Sequence, residues 1–143
     1  MVARELPDSV VTTSRGRALR SRRGARAALA AWGEDVAAAH LDERGWQVVA
    51  RNWATAGGEV DIVARDPDGV VVIVEVRTRA SGGFGTAVES VRPAKVRQLA
   101  RMALEWASSR QGHGQPPPRI DVIAVTCRGD LPPRVEHLVG VLR

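Results

Sequence analysis

Two strand-like runs carry acidic residues whose spacing could hold a metal ion. Glu59 and Asp61 lie in the first run, and Glu75 and Arg77 lie in the second. Because side chains alternate between the two faces of a strand, each pair shares one face. Carboxylate oxygens are the ligands that Mg²⁺ and Mn²⁺ prefer in proteins. Asp61 and Glu75 are therefore candidate ligands for such an ion, and a hairpin with a solvated charged face is the alternative that the spacing leaves open.

The segment between the runs, 66–69, is typical of a three-residue hairpin loop in which Gly69 takes the left-handed position. This loop would pair residue 66 with residue 70. Counting outward, Asp61 falls opposite Glu75, and Glu59 falls opposite Arg77. Like charges directly opposed on a sheet are destabilising, and a divalent cation would neutralise them.

Such a site suits the cleavage of phosphodiesters. A bound divalent ion can polarise the phosphate and supply a hydroxide nucleophile. Arg77 could stabilise the charge that develops on the phosphate in the transition state. Glu59 could be a further ligand or an ion-pair partner of Arg77.

The elements that must position these residues follow the order αβββαββ. An alanine-rich helix over 24–44 ends at Gly45, and Pro93 is placed to begin a second helix that runs to about Arg110. The strands are predicted over 47–54, 59–65, 70–79, 119–127 and 134–142. This order predicts an α/β fold with a mixed central sheet flanked by helices.

Length and composition limit the class of protein. A chain of 143 residues predicts one domain, and no apolar run is long enough to span a membrane. The first residues lack the apolar stretch of a secretory signal. A single cysteine excludes an internal disulfide and a cysteine-rich zinc site. We expect a cytoplasmic protein.

The net charge of +5 is concentrated at the N-terminus, where residues 1–26 contain seven arginines. Residues 1–22 lack periodicity and predict a disordered basic arm, followed by a domain over 23–143. An arm of this kind can bind phosphates without reading base sequence, and Arg22 and Arg23 are its candidate contacts. A solvated tail is the alternative.

Motifs along the rest of the chain resemble one family. They are Gly33-Glu34, Arg51-Asn52-Trp53, the run from Gly58 to Ala64, the run from Val74 to Arg79, Phe84-Gly85, Lys95 and the run from Asp121 to Val125. In this order the motifs resemble those of the UPF0102 (YraN-like) family. The family resembles a small restriction-endonuclease-like fold of the PD-(D/E)xK class, similar to archaeal Holliday-junction resolvases.

The resemblance implies roles for individual residues. It implies Asp61 and Glu75 as metal carboxylates and Glu34 as an accessory acid. It would place a lysine at position 77, where this chain has Arg77. Arginine stays charged at any working pH and cannot act as a general base. Lys95 could supply the missing amine, or it could be a solvated helix residue near Glu89.

Three functions remain open at this stage. The first is a nuclease-like domain that depends on Mg²⁺ or Mn²⁺ and cuts DNA, including branched DNA. The second is a nucleic-acid-binding module without catalysis, which Arg77 favours, and the third is a protein adaptor. Besides the arm, the candidate nucleic-acid contacts are Arg51, Arg79 and Lys95. Junction-resolving enzymes are usually two-fold dimers, so the resemblance allows a homodimer.

Overall fold

The fold follows the predicted order of elements. A computed structural model describes residues 15–81 and 91–141. Its elements are α1 (Arg15–Glu43), β1 (Gln47–Thr55), β2 (Gly58–Arg65), β3 (Val71–Ala80), α2 (Pro93–Ser108), β4 (Arg119–Arg128) and β5 (Leu131–Leu138). The motif Phe84-Gly85 lies outside the described residues.

The five strands form one mixed sheet in the order β1-β2-β3-β4-β5. Strands β3 and β4 are parallel, and the other neighbouring pairs are antiparallel. Parallel neighbours need a crossover connection, and α2 lies in the segment that joins β3 to β4. The predicted α/β class with a mixed, helix-flanked sheet is confirmed.

The two helices cover opposite faces of the sheet. Trp32 and Leu41 of α1 pack in one apolar cluster with Val72 and Val74 of β3. The alternate residues of β3 pack instead with Leu99, Met102, Ala103 and Trp106 of α2. Because neighbouring side chains on a strand face opposite ways, the sheet is buried between α1 and α2.

Helix α1 begins at Arg15 and not near Gly24, so residues 15–22 of the predicted arm belong to the helix. Alanine, leucine and arginine are strong helix formers, and no proline interrupts the segment. The rest of the predicted arm, 1–14, lies outside the described residues. The predicted end of α1 is confirmed: Gly45 has a φ of 81°, and the Trp46 N–H donates to the Leu41 carbonyl at 3.0 Å.

Strand β5 also begins earlier than the sequence predicts. It starts at Leu131 because Gly129, with a φ of 62°, makes a tight turn after β4. Pro132 and Pro133 argue against a strand in the middle of a sheet. They are tolerated here because β5 is an edge strand, which has a hydrogen-bonding neighbour on one side only.

The β2–β3 hairpin has the predicted loop. Asp66 donates its N–H to the Val70 carbonyl at 2.9 Å, and Gly69 has a φ of 86°. The carboxylate of Asp66 also accepts the N–H groups of Asp68 and Val70 at 2.9 Å. The loop is therefore held from inside by one side chain, and it sets the register of the strands.

The predicted register holds only as far as the pair Ile62–Val74. Asp61 and Glu75 follow directly after this last pair, and the ladder does not reach Glu59 and Arg77 as the sequence predicted. The ladder ends where the carboxylate of Asp61 accepts the N–H of Val76 in place of a main-chain carbonyl of β2.

Neither described helix contains a stretch that is long and apolar enough to cross a membrane.

Candidate active site

Asp61 lies at an irregularity in β2. Val60 packs in the cluster under α2, whereas Ile62 packs in the cluster under α1, so the alternation of faces is broken at Asp61. In β1 the residue across from Asp61 is Asn52, which has a φ of 52°. This is the left-handed region, which asparagine tolerates better than other residues with a Cβ. The two strands therefore bend together at the position of the acid.

The bend brings the Asp61 carboxylate to the backbone of β3. Its Oδ2 accepts the N–H of Val76 at 2.8 Å. Burial raises the pKa of Asp61, and the Val76 hydrogen bond opposes that rise. The positive charges of Lys95 and Arg77 also lower this pKa. Asp61 is thus fixed in position while part of its charge remains unneutralised.

Glu75 is the most confined acid of the site. Its residue is 6% exposed, and its Oε2 has no hydrogen-bond partner. Lys95 Nζ lies 3.5 Å from this oxygen, an ion pair rather than a short hydrogen bond. Burial raises the pKa of Glu75 to about 7, and repulsion from Asp61 adds to the rise, while Lys95 and Arg77 oppose it. A buried acid with an unsatisfied oxygen is suited to receive a cation.

Of the two alternatives for Lys95, the contact with Glu75 favours the amine beside the carboxylates. Glu89 lies outside the described residues, and Lys95 points from the first turn of α2 to Glu75 on β3. The Lys95 side chain is 28% exposed. An amine therefore stands beside the carboxylates although position 77 is an arginine.

Helix α1 supplies Glu34, and Gly33 lets it approach. A Cβ at Gly33 would overlap the side chain of Thr78 on β3, so only glycine allows helix and strand to meet here. Glu34 and Asp61 border the same cavity of about 400 Å³. Burial raises the pKa of Glu34; Arg51 lowers it, and repulsion from Asp61 raises it. Glu34 is therefore electrostatically coupled to Asp61, which together with Glu75 we call the acid pair.

Arg77 borders this cavity and a second one of about 590 Å³ beside α2. Its Nε is buried and has no hydrogen-bond partner. Arg77 therefore places a positive charge at the border of both cavities, and its contact with a phosphate stays a prediction.

The other predicted contacts occupy different places. Arg51 donates to Glu34 at 3.2 Å and to Asp35 at 2.8 Å, so it holds α1 to β1. Arg79 donates from its Nε to Thr126 on β4 at 3.4 Å. Arg22 and Arg23 are exposed on the first half of α1.

Asp121, the first residue of the last motif, has a structural role. It is fully buried and accepts hydrogen bonds from Arg119 at 2.9 Å and from the Gly140 N–H at 2.9 Å. His137 lies 2.8 Å from its second oxygen. These contacts lower the pKa of Asp121 despite its burial. Its oxygens are occupied and offer nothing to a metal.

Asp61 and Glu75 are the donors that fit a divalent ion. Within residues 15–81 and 91–141, no group of three or more His, Cys, Asp or Glu is arranged to hold one. Mg²⁺ nevertheless needs only one or two carboxylates when waters and a substrate phosphate complete its coordination. Glu75 has an oxygen without a hydrogen-bond partner, and the pKa of the neighbouring Asp61 is also raised, so the two carboxylates fit that requirement.

Sequence reasoning missed two features of this region. Asn52 was only part of a motif, and its positive φ depends on the bend in β2. Arg92 and Arg101 border the second cavity together with Lys95. Their spacing from Lys95 does not place them on one face of a helix, so only the fold shows that the three share this cavity.

Comparison with known proteins decides the family. The model of "Uncharacterised protein family UPF0102" matches residues 33–125, which include Glu34, Asp61, Glu75 and Lys95. This chain belongs to the UPF0102 family. The resemblance drawn from the sequence motifs is confirmed.

UPF0102 proteins from several bacteria are similar over most of their length. One from Kineococcus radiotolerans is 44% identical over 117 residues, which is 82% of this chain and 95% of that protein. One from Mycobacterium sp. strain JLS is 45% identical over 117 residues, covering 81% and 86% of the two chains. One from Geobacter sulfurreducens is 44% identical over 108 residues, covering 76% and 83%.

Among solved structures, this UPF0102 protein is similar to a repair endonuclease from Pyrococcus abyssi. The identity is 21% and the TM-score is 0.32. The match covers 63% of this chain, which spans only a third of that enzyme's length.

Proposed function

We propose that this UPF0102 protein is a nuclease-like domain that cleaves DNA phosphodiesters with the help of Mg²⁺ or Mn²⁺. The observation that carries the proposal is the buried Glu75 oxygen, which lacks a hydrogen-bond partner next to Asp61 and 3.5 Å from Lys95. Placing Asp61, Glu75 and Lys95 together in a partly buried site lowers the stability of the fold, because like charges repel and burial disfavours ionisation. Perturbed groups of this kind are typical of functional sites.

Asp61 and Glu75 would hold the metal, which would supply charge neutralisation at the phosphate and a water of lowered pKa. Lys95 and Arg77 would bind phosphate oxygens and stabilise the charge of the transition state. Glu34 lies across the cavity from β3, where it could hold a water through its carboxylate. Arg51 keeps that carboxylate in place through the hydrogen bond that its Nε donates at 3.2 Å.

A second candidate function is nucleic-acid binding without cleavage. Arg77 favours it, because a guanidinium cannot accept a proton where the family resemblance implies a lysine. Under the nuclease proposal, Lys95 supplies the amine that position 77 lacks. The two functions differ in whether the DNA is cut: only a nuclease gives products, and those products should disappear when Asp61 or Glu75 is replaced.

Cleavage assays separate these functions. The substrates are duplex, single-stranded, flapped and four-way-junction DNA, each incubated with Mg²⁺, Mn²⁺ or EDTA. We expect metal-dependent products that disappear in Asp61→Asn and Glu75→Gln. Asp68→Asn is the matched control, because it removes an exposed carboxylate from the loop at the other end of the same hairpin.

Binding without products on every substrate would favour the non-catalytic module. Products that persist in Asp61→Asn and Glu75→Gln would come from a contaminating nuclease and would contradict the proposal. A preference for the junction would support action on branched DNA. Paired cuts on opposing strands would support a dimer, since two-fold symmetry places two sites on the substrate.

A further inference from the structure

Among the described residues, those that line the second cavity beside α2 are mostly cationic. Its volume is about 590 Å³, and we call it the cationic groove. It is lined by Arg77, Arg92, Ala94, Lys95, Gln98 and Arg101. Four of these six side chains carry a positive charge, and none is acidic. Mutual repulsion of these charges makes the groove a site for a polyanion rather than a neutral ligand.

The groove lies beside α2. Arg92 is the N-cap of this helix, and Lys95 and Arg101 follow along it, so the three cations form a series along the helix axis. The six residues from Lys95 to Arg101 advance about 9 Å along the helix, so these two side chains can contact different phosphates of one strand. Gln98 completes the series, and its amide donates to the Gly57 carbonyl at 3.2 Å, which joins α2 to the β1–β2 turn.

The charges at the two ends of the groove are not neutralised internally. Within the part of the chain that the structure describes, neither Arg92 nor Arg101 forms an ion pair with a carboxylate. Both side chains are exposed. In contrast, Arg51 and Arg119 are occupied by acids of the protein. The groove therefore keeps its positive charge available to a ligand.

Arg77 connects the groove to the acid pair. It borders both the groove and the cavity that contains Asp61 and Glu34. Lys95 makes the same connection from the helix, since it lines the groove and pairs with Glu75. A chain of phosphates lying in the groove would therefore end at the carboxylates.

We propose that the cationic groove binds the sugar-phosphate backbone of one nucleic acid strand, which runs along α2 from Arg101 past Lys95 to Arg77. This inference deepens the proposed function and rests on it in one respect, namely that the bound strand is the one presented to Asp61 and Glu75. The contacts are to phosphates, so the groove holds the strand without reading its bases.

Charge-neutralising variants test the groove. Arg92→Gln and Arg101→Gln each remove one groove charge, and Arg97→Gln is the matched control. Arg97 is exposed on the same helix but does not line the groove. Affinity is measured in EDTA, from the fluorescence anisotropy of a labelled oligodeoxynucleotide titrated with each protein over a range of salt concentrations.

Each lost phosphate contact should lower the slope of log affinity against log salt by about one. At 0.1 M salt this corresponds to a roughly eightfold weaker affinity for Arg92→Gln and Arg101→Gln. Arg97→Gln should bind as the parent does. Equal weakening by all three variants would show a diffuse charge effect and would overturn the groove.

A polyglutamate of matched charge serves as competitor. If polyglutamate displaces the labelled DNA as readily as unlabelled DNA does, the groove binds acidic protein partners and the proposal is overturned. Because the assay contains no metal, it is independent of cleavage. Groove-dependent binding without any cleavage would contradict the nuclease proposal alone, whereas cleavage with unchanged binding in the groove variants would contradict the groove alone.

Discussion

The carboxylate of Asp61 accepts the backbone N–H of Val76 at 2.8 Å, directly after the last pair of the β2–β3 ladder. In the register of the hairpin this N–H would otherwise donate to the backbone of β2. The acid therefore replaces a main-chain partner and holds the two strands apart where they carry the site. Val76 is the residue between Glu75 and Arg77, so the same hydrogen bond orients both of them.

The buried acid pair makes the protein less stable as the pH rises. Glu75 would lose its proton near 4.5 in the unfolded chain, and its pKa in the folded protein is about 7. Between these values the folded state binds more protons than the unfolded state, so the free energy of unfolding falls with increasing pH. A shift of this size corresponds to on the order of 3 kcal/mol. The fall is complete above about pH 7, where both states are ionised.

Glu75→Gln should remove this fall. We expect its urea unfolding curves to show a nearly constant midpoint over that pH range, and a higher midpoint than the parent above pH 7. Asp68→Asn, on the exposed hairpin loop, should keep the pH dependence of the parent. The interpretation of Glu75 is wrong if the parent and Glu75→Gln show the same slope in metal-free buffer.

Lys95 should set the pH at which the acid pair accepts a metal. Because Lys95 lowers the pKa of both Asp61 and Glu75, its removal should raise these pKa values further. Metal binding requires deprotonated carboxylates, so the midpoint of Mn²⁺ affinity against pH should move upward in Lys95→Ala. Lys95→Arg keeps the charge and should keep the midpoint near that of the parent.

Isothermal titration with Mn²⁺ across the pH range measures these midpoints without relying on catalysis. Arg97→Ala, which removes a cation from the opposite part of α2, is the control for net charge. An unchanged midpoint in Lys95→Ala would show that the 3.5 Å ion pair with Glu75 does not govern the site.

The features predicted correctly from sequence are those with local causes. Gly69 fixes the hairpin loop through its left-handed φ, and Pro93 begins α2 because proline suits the first turn of a helix. The valine-rich runs predict buried strands in the same way. Each depends on a few neighbouring residues and their backbone preferences.

The features missed depend on contacts between distant segments. The register set by the hairpin loop predicts that the β2–β3 ladder continues past Ile62. It ends there because the Asp61 side chain accepts the Val76 N–H. The pairing of Lys95 with Glu75 joins residues of α2 and β3, and no local pattern indicates which way the helix is turned. The bend at Asn52 likewise has no cause within β1 itself.

Gly33 should be irreplaceable, whereas Gly24 of the same helix should tolerate a side chain. A methyl group at Gly33 would overlap Thr78, so Gly33→Ala should destabilise the fold by about 1–3 kcal/mol through overpacking. Gly24 has no atom within 4 Å of an added Cβ, so Gly24→Ala should stabilise the protein by roughly 0.5–1 kcal/mol. Thermal and urea unfolding of the two variants measure both effects.

Thr78→Ala in the Gly33→Ala background checks the cause. Removing the hydroxyl and methyl groups of Thr78 should recover part of the lost stability, while the same change alone should cost little. If the double variant is no more stable than Gly33→Ala, the contact between α1 and β3 is not what requires glycine.

Asp61 and Glu75 should destabilise the fold when no metal is bound, because their carboxylates repel each other. In EDTA, Asp61→Asn should be at least as stable as the parent, because it relieves the repulsion that raises the pKa of Glu75. The amide can still accept the Val76 N–H through its oxygen. The relieved repulsion is on the order of 1 kcal/mol for neighbouring like charges on adjacent strands.

Excess Mn²⁺ should reverse the order of the two proteins. A ligand that binds only the folded state adds RT ln(1 + [L]/Kd) to the free energy of unfolding, roughly 2.7 kcal/mol at a hundredfold excess over Kd. The parent should gain this amount and Asp61→Asn should gain little, which thermal melts in EDTA and in Mn²⁺ will measure. Asp68→Asn should respond to Mn²⁺ as the parent does, since its carboxylate lies at the far end of the hairpin. An equal shift of the melting temperature in the parent and Asp61→Asn, or a shift in neither, would remove the metal from Asp61 and Glu75 and leave nucleic-acid binding as the better-supported function.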